Sequence, residues 1–153
     1  MFEEIYNFLR LSENLSSGGM PKAEQLRDGA AKGVQVVINL APHDVPDALP
    51  EEAALVRELG MQYINIPVHW NTPTRGSLDK FMDTMDEHQG KKILVHCEAN
   101  FRASAFLSMY RVLRQGWKHE DALQVMHQIW EEEAYPVWKK FIEDSLKRSR
   151  DGS

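Results

Sequence analysis

The sequence predicts an α/β protein built on a mostly parallel central sheet of about four strands flanked by helices. Three observations carry that reading. Short β-branched runs alternate with amphipathic stretches of helical spacing, and no internal repeat or low-complexity segment interrupts them. The strand-like runs are continuous rather than alternating, as expected of strands covered on both faces. Gly or Pro stands at most of the boundaries between the two kinds of segment.

In chain order, residues 2–10 carry the apolar spacing of a short helix. From Pro21 to Ala31, Ala23, Leu26 and Ala30 keep helical spacing, with Pro at the start and Gly33 beyond the end. Val34-Gln35-Val36-Val37-Ile38-Asn39-Leu40 is mostly β-branched and reads as a buried strand. A loop rich in Pro and Asp follows, from Ala41 to Leu49. Pro50 to Gly60 opens with Pro and two acids and closes on Gly, so both ends of a helix are written in residues. Gln62 to Ile66 is the next strand and Pro67 to Gly76 the next loop. Ser77 is placed to N-cap a helix running to about Glu87 and stopped by Gly90. Lys92-Ile93-Leu94-Val95 is a strand, and helices are expected over 102–115, 119–133 and 136–148.

Composition bounds the function. A chain of 153 residues, 42% hydrophobic and 27% charged, implies one globular domain over 1–153. Eighteen Lys plus Arg against 23 Asp plus Glu give a net charge of −5, and the only basic cluster is Lys147-Arg148-Ser149-Arg150, which argues against a nucleic-acid partner. No apolar run approaches the roughly 18 residues a membrane span needs. Met1-Phe2-Glu3-Glu4 is acidic where a secretory signal is basic, so a cytoplasmic protein with no membrane partner is expected. The lone Cys97 excludes an intrachain disulfide and a multi-cysteine zinc site, and stands either as an inert core thiol or as a nucleophile. The histidines show no His-Glu-x-x-His or similar spacing, so neither metal nor cofactor is expected.

In an open parallel sheet, functional groups gather beyond the carboxyl ends of the strands. Residues 96–101 lie there. The run Ile93-Leu94-Val95-His96-Cys97-Glu98-Ala99-Asn100-Phe101-Arg102-Ala103-Ser104 puts Cys97 on a turn between a buried strand and a helix start. Loop N–H groups and the helix dipole converge at such a turn, favouring an anion and the thiolate form of a cysteine. Arg102, five residues on, can offer a planar fork to an oxyanion.

These residues resemble the signature loop of the protein tyrosine phosphatase superfamily, dual-specificity branch: His-Cys, five residues, Arg, then Ser or Thr. Ser17-Gly18-Gly19-Met20-Pro21, the strand from Gly33 to Leu40 and Ile64-Asn65-Ile66-Pro67-Val68 are similar to the bacterial phosphatase-like domain named after beta-lactamase-hydrolase-like proteins, with the resemblance spanning roughly 11–115. It implies a phosphatase-like fold and a metal-free hydrolysis of a phosphorylated substrate, protein or small molecule. Cys97 would attack phosphorus to form a phosphocysteine, Arg102 would bind the phosphoryl oxygens, and Ser104 would help the thiolate leave. His96 would order the thiolate through loop carbonyls. The loop His96, Glu98, Ala99, Asn100, Phe101 and Arg102 would hold the phosphate.

Three departures qualify the carry-over. Arg102 follows Cys97 after four residues instead of five, which puts Ala103 at the usual arginine position and matches the loop length of rhodanese-like sulfurtransferases as well as that of the bacterial family. Asn100 replaces the usual loop glycine, and Asn tolerates positive φ better than most residues. The segment from His69 to Arg75, where the general-acid aspartate is expected, contains no Asp, which leaves His69, or Asp44 and Asp47, to supply the proton. A sulfurtransferase carrying a persulfide on Cys97 and a phosphate-binding module without turnover are the alternatives.

Overall fold

The structure, a computed structural model, describes residues 1–44 and 48–150. A 3-10 turn at Phe2–Glu4 leads into strands β1 (Leu9–Ser12) and β2 (Leu15–Gly18), then helix α1 (Ala23–Ala31) and strand β3 (Val36–Asn39). Helix α2 (Glu52–Glu58), strand β4 (Gln62–Asn65), helix α3 (Arg75–Glu87) and strand β5 (Ile93–His96) follow. The chain closes with α4 (Phe101–Gln115), α5 (His119–Met126), a 3-10 turn (Glu132–Ala134) and α6 (Pro136–Arg150).

The sheet has five strands in the order β1-β2-β5-β3-β4. Only β1 runs antiparallel to its neighbour; β2, β5, β3 and β4 are parallel. The α/β reading with a mostly parallel sheet therefore holds, with one strand more than expected. Successive strand residues face opposite sides of a sheet. In β3 and β5, which are buried on both faces, that rule divides the core in two. Val36, Ile38, Ile93 and Val95 pack under α3, α4, α5 and α6, through Phe81, Phe106, Met126 and Trp138 among others. Val37 and Leu94 pack under α1 and α2, through Leu26 and Val56, together with Phe2 and Ile5.

Three expectations are corrected. Residues 2–10 do not form a helix: the turn ends at Ile5, whose ψ is 138°, Asn7 takes a positive φ of 52°, and Leu9-Arg10-Leu11-Ser12 alternates half-buried and exposed as an edge strand. The helix after Pro73 starts at Arg75, capped by Thr74, whose Oγ1 accepts from Ser77 N at 3.1 Å, so Ser77 lies inside the helix instead of capping it. The stretch 119–133 stops being helical after Met126, because Trp130 leaves the helical path to stack on Phe101 with ring centroids 4.9 Å apart and to donate its indole N–H to Ser104 Oγ at 3.0 Å. No helix among the described residues is long and apolar enough to cross a membrane.

The topology brings three strand ends together. His96, the last residue of β5, pairs with Gly18 of β2 on one side and Asn39 of β3 on the other. Gly19 then passes against the loop after β5, where Met20 N donates to Glu98 O at 2.9 Å. A Cβ on Gly19 would sit 2.6 Å from that same carbonyl oxygen and 3.0 Å from Tyr6. Gly19→Ala is therefore expected to destabilise the fold by about 2 kcal/mol, the range of a forced overpacking; urea denaturation checks it, and an unchanged midpoint would mean the loop yields freely.

Candidate active site

The chain has four residues, 97–100, in which to leave β5 and enter α4. Asn100 makes the reversal. It takes a left-handed φ of 69° just before the helix, the conformation for which a glycine would be the usual choice. Its side chain compensates: Nδ2 donates to Asn7 O at 2.8 Å and to Ser17 Oγ at 3.0 Å. Asn7 returns the bond, donating from Nδ2 to Ala99 O at 3.1 Å. Two asparagines of positive φ thus clamp the loop to the N-terminal segment, a pairing that the sequence signals only through the absent glycine.

Cys97 is buried, 1% exposed, and its N–H donates to Gly18 O at 3.3 Å. It forms the floor of a cleft of about 430 Å³ lined by Tyr6, Trp70, Cys97, Glu98, Ala99, Phe101, Arg102 and Tyr135. The first-turn N–H groups of α4 have no intrahelical acceptor and belong to this same wall of the cleft. Arg102 is buried, and two of its donors are already engaged: Nη1 on Val68 O at 2.7 Å and Nη2 on Glu98 Oε1 at 2.9 Å. A guanidinium has five N–H donors, so three are left beyond these two bonds, which fix its plane before a ligand binds. The aromatic walls brace one another: Trp70 stacks on Trp138 at 5.3 Å and meets Tyr135 edge-on at 5.4 Å, and Trp138 Nε1 donates to Trp70 O at 2.7 Å.

Of the residues singled out in the sequence, Cys97, Glu98, Ala99, Phe101 and Arg102 are brought together in the cleft. Asn100 and His96 stand behind it, both buried. Ser104 is buried too, but its hydroxyl donates to Phe101 O at 3.2 Å and accepts from Trp130. His69 is exposed and outside the lining, and it is its neighbour Trp70 that the loop sends into the cleft. Asp44 is exposed and likewise outside the lining, while Asp47 falls outside the described residues. Arg75, the first residue of α3, donates to Asp79 Oδ1 at 2.9 Å. Sequence reasoning missed Tyr6, Trp70 and Tyr135 as walls, since nothing in their local pattern separates them from core or surface aromatics. It also missed Glu52, whose carboxylate lies 2.5 Å from His96 Nε2, and which local pattern marks only as a first-turn acid.

A central β5, a cysteine turn at its carboxyl end, and an arginine in the first turn of the next helix define a hydrolase of the protein tyrosine phosphatase type. The chain belongs to the family described as DSP-PTPase phosphatase fused to NAD+ kinase, whose model matches residues 8–144. A solved DUF442 protein of Shewanella putrefaciens CN-32 is 37% identical, with 97% of this chain and 96% of that one aligned at a TM-score of 0.87. TpbA of P. aeruginosa, solved in complex with pTyr, shares the fold at 18% identity and a TM-score of 0.72 over 94% of this chain and 90% of its own. So does the catalytic core of the PP-IP phosphatase SIW14 of S. cerevisiae, solved with citrate, at 18% identity and 0.74 over 94% and 90%. No curated protein matches the chain significantly. Among the alternatives that the loop length allowed, the family match favours the phosphatase over the sulfurtransferase.

The clamp predicts an ordered mutant series. Asn100→Ala loses two side-chain hydrogen bonds and leaves a Cβ in the left-handed region, whereas Asn100→Gly loses the bonds alone. Both variants are expected to be less stable than the parent, with the alanine worse than the glycine by about 1 kcal/mol. Thermal unfolding of the three proteins measures it, and equal melting temperatures for the two variants would contradict the account.

Proposed function

We propose that the protein hydrolyses phosphomonoesters with aromatic leaving groups through a phosphocysteine on Cys97. The observation supporting this is the pairing of Cys97 and Arg102 in a cleft whose other walls are Tyr6, Trp70, Phe101 and Tyr135. Aromatic faces take a flat ring by stacking, and they leave the phosphate to the loop. The lining holds one cation, and Glu98 already neutralises it. Among the described residues lining this cleft no second cation answers the charge of a polyphosphorylated substrate; Lys22 lines a separate groove that shares Tyr6 and Glu98 with it.

In the first step the thiolate Sγ of Cys97 attacks phosphorus, the S–P bond forming as the bond to the ester oxygen breaks. Arg102 and the first-turn N–H groups carry the charge that develops on the equatorial oxygens. The leaving oxygen needs a proton, and among the described residues lining the cleft the one carboxyl is Glu98. A phosphoryl group on Arg102 displaces Glu98 from the guanidinium, and the freed carboxylate takes the proton that the phosphomonoester monoanion brings and passes it to the leaving oxygen. Glu98 replaces His69 in this role because His69 faces solvent. In the second step water attacks phosphorus, its proton passes to Glu98, and the S–P bond breaks to release inorganic phosphate and the thiolate. Ser104, engaged with Trp130, acts here by fixing the helix start.

Two kinetic experiments test this. Cys97→Ser should abolish turnover, and Arg102→Lys, which keeps charge but loses the fork, should lower kcat/KM at least about tenfold. Phenyl phosphate should be turned over readily and inositol hexakisphosphate not at all; the reverse preference would remove the aromatic assignment. Glu98→Gln should cost about a hundredfold with phenyl phosphate and far less with p-nitrophenyl phosphate, whose leaving group needs little protonation, whereas His69→Ala should be silent with both. A leaving-group dependence in His69→Ala and none in Glu98→Gln would return the proton to His69.

A further inference from the structure

His96 and Glu52 form a buried pair that the steps above do not use. The imidazole is wholly buried and the carboxylate 4% exposed, with Nε2 and Oε2 2.5 Å apart. On the other side of the ring, Nδ1 lies 3.2 Å from the carbonyl oxygen of Cys97. A backbone carbonyl only accepts, so Nδ1 carries a hydrogen. Nε2 and Glu52 Oε2 share one hydrogen across their 2.5 Å separation, so the ring is held between two oxygen partners. Consecutive residues at a strand end point to opposite sides, so His96 reaches its neighbour through the backbone.

The carboxylate is held in turn. Asn39 Nδ2 donates to Glu52 Oε1 at 3.4 Å and to Tyr63 Oη at 3.1 Å, while Asn39 Oδ1 accepts from Ala41 N at 2.8 Å. Tyr63, accepting from Asn39, lies with its hydroxyl 2.8 Å from His43 Nε2. Burial, with the charge of Glu52 adding to it, pushes the Tyr63 hydroxyl up to about 12. Arg57 lies over the Tyr63 ring, 5.9 Å from its centroid. On the cysteine side the charged neighbours are Glu98 and Arg102. Removing one member of a buried ion pair strands the other, and a fully satisfied network such as this one fixes a single geometry.

We propose that Glu52 is a positioning residue of the cysteine site: its carboxyl group fixes the His96 ring through Nε2, with Nδ1–H on the Cys97 carbonyl, and thereby aims Cys97. This rests on Cys97 as nucleophile, but its test does not need turnover. Iodoacetamide alkylation of Cys97, read by mass spectrometry across pH without substrate, should shift to higher pH in Glu52→Gln and slow about tenfold near neutrality. Glu52→Asp should recover part of the loss. With substrate, kcat of Glu52→Gln should fall while KM holds. An alkylation profile of Glu52→Gln that superimposes on the parent's overturns the proposal, even if Cys97→Ser is inactive; inactivity of Cys97→Ser is a separate result that concerns the nucleophile alone. Should Glu52→Gln fail to fold, the parent protein still decides. Nitrogen-15 spectra of the His96 ring should show a hydrogen on Nδ1, and a hydrogen on Nε2 only would refute the assignment.

Discussion

Everything at the cleft depends on how the chain turns, in four residues, between a fully buried strand and a helix buried from Arg102 to Val112. The turn needs a left-handed residue at its end, and the chain supplies Asn100 where a glycine would be free of strain. The reciprocal bonds between Asn7 and the 99–100 segment offset that strain. Gly19 lets the chain beyond β2 pass close enough for Met20 N to reach Glu98 O, and Gly18, where a Cβ would press against Ile5, accepts from Cys97 N. The loop is thereby fixed from outside, by the N-terminal segment and by the bond from Cys97 N–H to Gly18 O.

A second constraint fixes the walls. Arg102 is tied to Val68 O, which locks the loop after β4 to the first turn of α4. Trp70, two residues beyond Val68, is held by Trp138 of α6, and Phe101 is held by Trp130. Cleft and core are therefore one aromatic cluster, and the C-terminal helices that seem remote from the chemistry shape the surface on which a substrate ring would lie. The same economy explains the short helix α5: the tryptophan that ends it is worth more stacked on Phe101 than carried on a helical surface.

Much of this was legible in the sequence because the signals were local. Continuous β-branched runs gave β3 and β5, Gly boundaries gave α1, α2 and α4, and the strand-Cys-helix order gave the position of the site. What escaped was decided by distant partners. The β1 strand exists because Leu9 to Ser12 pair with β2, and a helical spacing over so short a run cannot compete with that ladder. Glu52 lies 44 residues from His96, and no local pattern announces a buried pair across that separation. His69 shows the limit from the other side: the right residue type in the right loop, turned outward because Trp70 takes the inward place.

The central claim is that Cys97 is covalently phosphorylated during turnover. Rapid quenching of the protein with an aryl phosphate, followed by peptide mass spectrometry, tests it without reference to any variant. The account predicts a phosphoryl group on the peptide containing Cys97, localised to the sulfur and lost when substrate is exhausted. A steady-state reaction that leaves Cys97 unmodified at every quench time, or that phosphorylates another side chain, would contradict it.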